Sequence, residues 1–188
     1  MLDAAEQLFR EGGGDALTVE AIIERAGTST GAFYARFGSR RGLFVAMHER
    51  FLLTFEASLR EVAADAFSAG SLEESLQIFV DGVLSTVRRH RDTLNFHVIQ
   101  NAHDPEMRAQ GNQLTQAMYL LIEKIADTHS LEPRGVDDGK VDMLGRVLYG
   151  LTLELMMFDD DEVTGQAITH EQLVNRLTEM LLVYLTQT

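Results

Sequence analysis

Between Thr18 and Leu43 the chain reads TVEAIIERAGTSTGAFYARFGSRRGL, and few folds accommodate that run. Thr18 is placed to cap a short helix whose apolar residues Val19, Ile22, Ile23 and Ala26 share one face. Gly27 supplies a backbone conformation that ends the helix, and Ser29 is placed to cap a second one. Phe33 and Phe37 lie one turn apart and can pack inward, which leaves Thr30, Gly31 and Tyr34 pointing elsewhere. A second helix that opens on small and hydroxyl residues, with arginines following, suits the major groove of DNA. The stretch reads as a helix-turn-helix.

The flanking sequence is helical throughout. Leu2, Ala5, Leu8 and Phe9 form one stripe over residues 1–11, which stops at Gly12-Gly13-Gly14. Ser39 is placed to cap a long helix from about residue 40 towards 67, continuous across the domain boundary and therefore able to transmit a shift. Ser71 and Glu74 form a capping box for a helix to about 91, a break follows at 91–93, and 94–102 is a shorter segment. Asp104-Pro105 opens a helix over 106–128, and Pro133, Gly135 and Gly139 mark a loop over 130–139. The last two helices are expected at 140–158 and, behind the capping box Thr169–Gln172, at 169–186. No strand-period alternation occurs, so the expected class is all-α: a three-helix DNA-binding domain, residues 1–47, joined by the long helix to a helical domain, residues 48–188.

Charge qualifies the DNA reading. The chain carries a net −13, which opposes binding to a polyanion. Residues 1–50 hold six Lys/Arg against seven Asp/Glu, whereas residues 51–188 hold ten against 22. Arg36, Arg40 and Arg41 fall in 28–41 with no acid among them. An acidic body can repel DNA everywhere except at one docking surface; the same acidity also serves solubility. The chain has no cysteine, no apolar run of membrane-spanning length and no signal-peptide pattern, so a cytoplasmic protein without membrane association is expected.

These residues carry a resemblance. Ala4-Ala5, Leu8-Phe9, Gly13, Ala16, Thr18, Ile22, Ala26-Gly27, Ser29, Gly31, Phe33-Tyr34, Phe37, Ser39-Arg40 and Leu43-Phe44 resemble the TetR family of bacterial transcriptional regulators over roughly the first 47 residues. The resemblance implies that Thr18 binds a phosphate and that Thr30, Gly31 and Tyr34 meet bases or phosphates. Arg40, where the family usually has Lys, would grip the DNA backbone. The positions that would face DNA are Thr18, Ser29, Thr30, Gly31, Ala32, Tyr34, Ala35, Arg36, Arg40 and Arg41. Four departures stand out. Gly14 replaces a usual aromatic, which would loosen the first helix, and Ile23 replaces a more usual Ala, which would widen the packing of the reading helices. Ala35 replaces a common His, Tyr or Trp and removes one contact, which Arg36 can replace. The sequence also begins inside the first helix, without the family's usual basic arm ahead of it.

The resemblance further implies a small-molecule pocket between the middle helices. Phe79, Asn95, Phe96, His97, Met118, Tyr119, Ile122, Leu148 and Leu151 are the candidates for a largely apolar pocket, against the alternative of ordinary core packing. The wide apolar faces of the last two helices point to a homodimer through a four-helix interface, where Gly145 and Gly150 would permit close approach. Arg88, Arg89 and Arg91 are assigned to a helix C-terminus, where cations favour the dipole. His90 and His97 would lie about 10 Å apart along one helix, too far to share an ion. No H-E-x-x-H, Walker or dinucleotide motif occurs, so no metal, cofactor or enzymatic site is expected. The expected function is a ligand-responsive repressor, released from a pseudo-palindromic double-stranded operator by a small-molecule effector. The alternative is an all-α carrier or sensor whose helix-turn-helix no longer binds DNA.

Overall fold

A computed structural model describes residues 1–129, 138–159 and 161–186, and all of its regular structure among them is helical. The chain divides after Thr54 into two compact units.

The first unit contains α1 (Leu2–Gly12), a 3-10 turn (Gly14–Ala16), α2 (Val19–Arg25), α3 (Thr30–Phe37) and the opening turns of α4 (Arg40–Phe67). Each boundary has a local cause. The Ala21 amide donates to Thr18 Oγ1 (3.1 Å), that of Ala32 to Ser29 Oγ (3.2 Å) and that of Gly42 to Ser39 Oγ (3.0 Å). Gly27 closes α2 with φ 58°, while the Thr28 amide reaches back to the Ile23 carbonyl, satisfying a carbonyl that the helix end leaves open. Ala5, Leu8, Leu17, Ile22, Phe33, Leu43 and Met47 are buried and form the core of the unit. Each large apolar side chain among them contributes about 1.5–3 kcal/mol by leaving water.

The second unit contains the rest of α4 with α5 (Leu72–Arg89), α6 (Arg91–His103), α7 (Pro105–His129), α8 (Asp138–Met157) and α9 (His170–Thr186). Helix α5 is central, packing on α7, α8 and α9. Its buried stripe is Leu76, Phe79, Val80, Val83, Leu84 and Val87. Gly82 lets α5 approach α4, since a Cβ there would stand 2.5 Å from the Val62 side chain. The expected caps recur. Ser71 Oγ accepts from the Glu74 amide, Asp104 Oδ1 from that of Glu106, and Thr169 and Gln172 bond reciprocally. Glu74 completes its box one residue earlier than expected, on the Gly70 amide (2.9 Å).

Three sequence expectations change. The break placed at 91–93 is the single residue His90, and α6 restarts at Arg91. Arg91 therefore begins a helix and does not end one; it pairs with Asp159 beyond α8 (2.8 Å). Gly145 serves packing within the chain, because a Cβ there would fall 2.2 Å from the Tyr119 ring on α7. A Cβ on Gly150, by contrast, would meet no other side chain or helix within 4 Å among the described residues. The loop read over 130–139 lies mostly outside the described residues, and α8 already includes Asp138 and Gly139.

The tightest junction in the first unit joins α3 to α4. A Cβ on Gly42 would stand 1.9 Å from the Phe37 carbonyl oxygen, and that neighbour is backbone. Gly42→Ala is expected to destabilise the protein by about 1–3 kcal/mol. Denaturant unfolding checks this, and an unchanged midpoint would contradict the close approach.

Candidate nucleic-acid interface

Helix α3 is held by one face and open on the other. Phe33 is fully buried, and the Phe37 ring lies 5.2 Å from it, centre to centre. The aromatic pair sets the rotation of the helix. As a result Thr30, Gly31, Tyr34, Ala35 and Arg36 are exposed and Ala32 half-buried. Tyr34 keeps 49% of its surface in solvent, with its ring edge-on to Phe33 at 5.4 Å. A phenol supported in this way presents its hydroxyl outward as both donor and acceptor.

The hydroxyls of Thr18 and Ser29 are also exposed, one at the start of each short helix. Each oxygen accepts from a backbone amide, which leaves each O–H able to donate outward, for example to a phosphate oxygen. Of the arginines expected here, Arg36 lies over the Phe37 ring (5.4 Å) and is exposed. Arg40 and Arg41 are exposed at the start of α4. Arg40 also donates from Nε to the Leu17 carbonyl (3.1 Å), an engagement that the sequence did not reveal.

Gly31 is unusual within this face. It lies inside a regular helix, where glycine costs about 0.5–1 kcal/mol relative to Ala. A Cβ there would meet only Ser29 Oγ, at 3.9 Å. Nothing among the described residues requires a glycine at this position.

Two arginines brace the scaffold. Arg25 of α2 binds both carboxylate oxygens of Glu11 (2.8 and 2.7 Å), so α1 is tied to α2 even with Gly14 in place of an aromatic. Arg50 of α4 pairs with Asp3 and, at 3.4 Å, with Glu6 of α1. Hydrogen bonds from Arg50 and Arg25 hold the carboxyls of Asp3 and Glu11 below the usual range. A carboxylate with a depressed folded pKa stabilises the fold above its unfolded pKa and loses that contribution as pH falls through the folded one. Both ties are thus intact at neutral pH.

In the second unit the pocket candidates are not all brought together. Met118, Tyr119, Ile122 and Leu148, with Gly145, line one recess of about 10 Å³ between α7 and α8. Leu151 lines another of about 30 Å³ between α8 and α9. Each has room for about one water. Phe79 and His97 are buried, and Phe96 is half-buried against His97 (5.3 Å between ring centres). Asn95 donates to the Met156 carbonyl (3.1 Å), tying α6 to the end of α8. Among the described residues no group of three or more His, Cys, Asp or Glu side chains is arranged to hold a metal. No helix among them is long and apolar enough to cross a membrane.

Comparison with known proteins agrees with this architecture. Residues 1–47 match the family described as bacterial regulatory proteins, tetR family. Over 125 residues the chain is 29% identical to the HTH-type transcriptional regulator YvdT of Bacillus subtilis, covering 66% of this chain. The chain spans 62% of the length of that relative. Among solved structures, a TetR transcription regulator from Haloarcula marismortui superposes with a TM-score of 0.71 at 18% identity, over 98% of this chain and 93% of that one. The TetR family regulator PfmR from Thermus thermophilus gives 0.64 at 20% identity, over 99% and 98%. At these identities the structural likeness establishes the fold.

The space around Gly31 makes its own prediction. Gly31→Ala is expected to raise stability by about 0.5–1 kcal/mol through helix propensity. Thermal or denaturant unfolding measures it; destabilisation would show that the chain itself needs this glycine.

Proposed function

We propose that the chain is a DNA-binding transcriptional regulator of the tetR family, whose pattern its residues 1–47 match, and that it is a repressor released by a small-molecule effector. The observation that carries this reading is the outward face of α3, where Gly31 gives up helix stability that no internal contact recovers. A partner whose backbone approaches the helix closely accounts for it, and the major groove of duplex DNA is such a partner. In this reading α3 lies in the groove, with Thr30, Gly31 and Tyr34 towards the bases. Thr18, Ser29, Arg36 and Arg41 take phosphate oxygens. Residues 1–47 act as the DNA-binding domain and 48–188 as the effector-binding and dimerisation domain. Helix α4, which belongs to both units, is the candidate coupling element. An effector acts by preferring a conformation that binds DNA poorly, and DNA weakens effector binding reciprocally.

The dimer is supported by what α8 and α9 leave in solvent. Met143, Val147 and Met157 on α8, and Met180, Val183 and Tyr184 on α9, are all exposed. The open space at Gly150 lies on α8 with them. Association of these helices with their copies in a second chain covers the faces as a four-helix bundle and gives the two-fold symmetry that a pseudo-palindromic operator requires.

Selection of duplexes from a random library at low salt is expected to enrich a pseudo-palindromic sequence. Gly31→Ala is expected to bind it about tenfold or more weakly while folding at least as stably. Failure to enrich any duplex while a small molecule still binds would make the protein a carrier or sensor. Sedimentation is expected to give a dimer, with Val147→Glu combined with Met180→Glu giving a folded monomer. A wild-type monomer would contradict the interface.

A further inference from the structure

The engagement of Arg40 differs from that of a residue that only clamps phosphate. Its Nε donates to the Leu17 carbonyl, 23 residues back along the chain, at 3.1 Å in a partly buried bond. Its guanidinium carbon lies 5.1 Å from the centre of the Phe44 ring, one turn further along α4. Leu17 is fully buried and directly precedes Thr18, whose hydroxyl caps α2. The backbone at Arg40 is fixed in turn, because the adjacent Ser39 caps α4 through the Gly42 amide and Gly42 sits against the Phe37 carbonyl. One side chain therefore links the start of α4 to the entry of α2.

We propose that Arg40 is a positioning residue for duplex binding: its Nε–Leu17 bond, beside the Phe44 ring, sets where α2 begins and hence where the Thr18 hydroxyl points, and its charge contributes little. The proposal rests on the DNA-binding reading above. A charge-assisted bond to a carbonyl fixes the direction of the side chain in the free protein, before any DNA arrives. Glutamine separates the two roles. Its Nε2 stands the same number of bonds from the backbone as arginine Nε, so Arg40→Gln keeps a donor for Leu17 and removes the charge.

The test measures affinity against salt concentration for the duplex enriched from the random library, using the full-length chain with Arg40, Arg40→Ala or Arg40→Gln. The expected result is a loss of about five- to tenfold for Arg40→Ala, with restoration to within about twofold by Arg40→Gln. The log–log salt slope is expected to be the same in all three proteins. Amide resonances of Thr18 and Ala21 in the free protein should shift in Arg40→Ala and return in Arg40→Gln, a readout that needs no DNA. If Arg40→Gln binds as weakly as Arg40→Ala and both slopes fall by about one, Arg40 is a phosphate contact and the proposal fails. Should Arg40→Ala not fold, Arg40→Gln alone decides through its affinity and slope. If the wild-type chain enriches no duplex, the DNA-binding reading falls first and takes this role with it; that outcome is distinct from a failed rescue.

Discussion

The burial of Phe33 beneath α3 is the contact on which the first unit turns. An eight-residue helix has too few hydrogen bonds to be stable alone, so its orientation comes from what it packs against. Phe33 and Phe37 anchor one side, and the Gly42–Phe37 approach stops the chain from sliding where α4 begins. With that side fixed, the opposite side can consist of Thr30, Gly31, Tyr34 and Ala35, all of them exposed. A helix anchored by its inward residues can present its exposed ones to another molecule. The proposed recognition of DNA depends on this division of labour.

Legibility in the sequence follows the range of the interaction. Caps were readable at Thr18, Ser29, Ser39, Ser71, Asp104 and Thr169, because a side chain and an amide two or three residues away decide them. Contacts between distant residues were not. Arg40 meets Leu17 across 23 residues and Gly145 meets Tyr119 from another helix, so neither residue type nor local spacing revealed the pairing. The pocket candidates show the same limit. Periodicity marks Phe79, Ile122 and Leu148 as inward-facing, but core and pocket lining have the same period, and Asn95 holds the end of α8.

Charge and apolar surface divide the work of the proposed regulator. Residues 51–188 hold ten basic and 22 acidic side chains, so a polyanion is discouraged there, while the α3 face and the start of α4 carry arginines. The exposed methionines, valines and tyrosine of α8 and α9 are the counterpart, a surface suited to a second copy of the chain.

The central claim is that α3 meets DNA through the face opposite Phe33. Chemical-shift mapping of isotopically labelled protein with a library-selected duplex tests it most directly. The largest changes are expected on Thr18 and on Ser29 to Tyr34, with the amides of Phe79, Leu148 and Leu181 far less affected. Changes concentrated on α5, α8 or α9, with α3 unmoved, would contradict it.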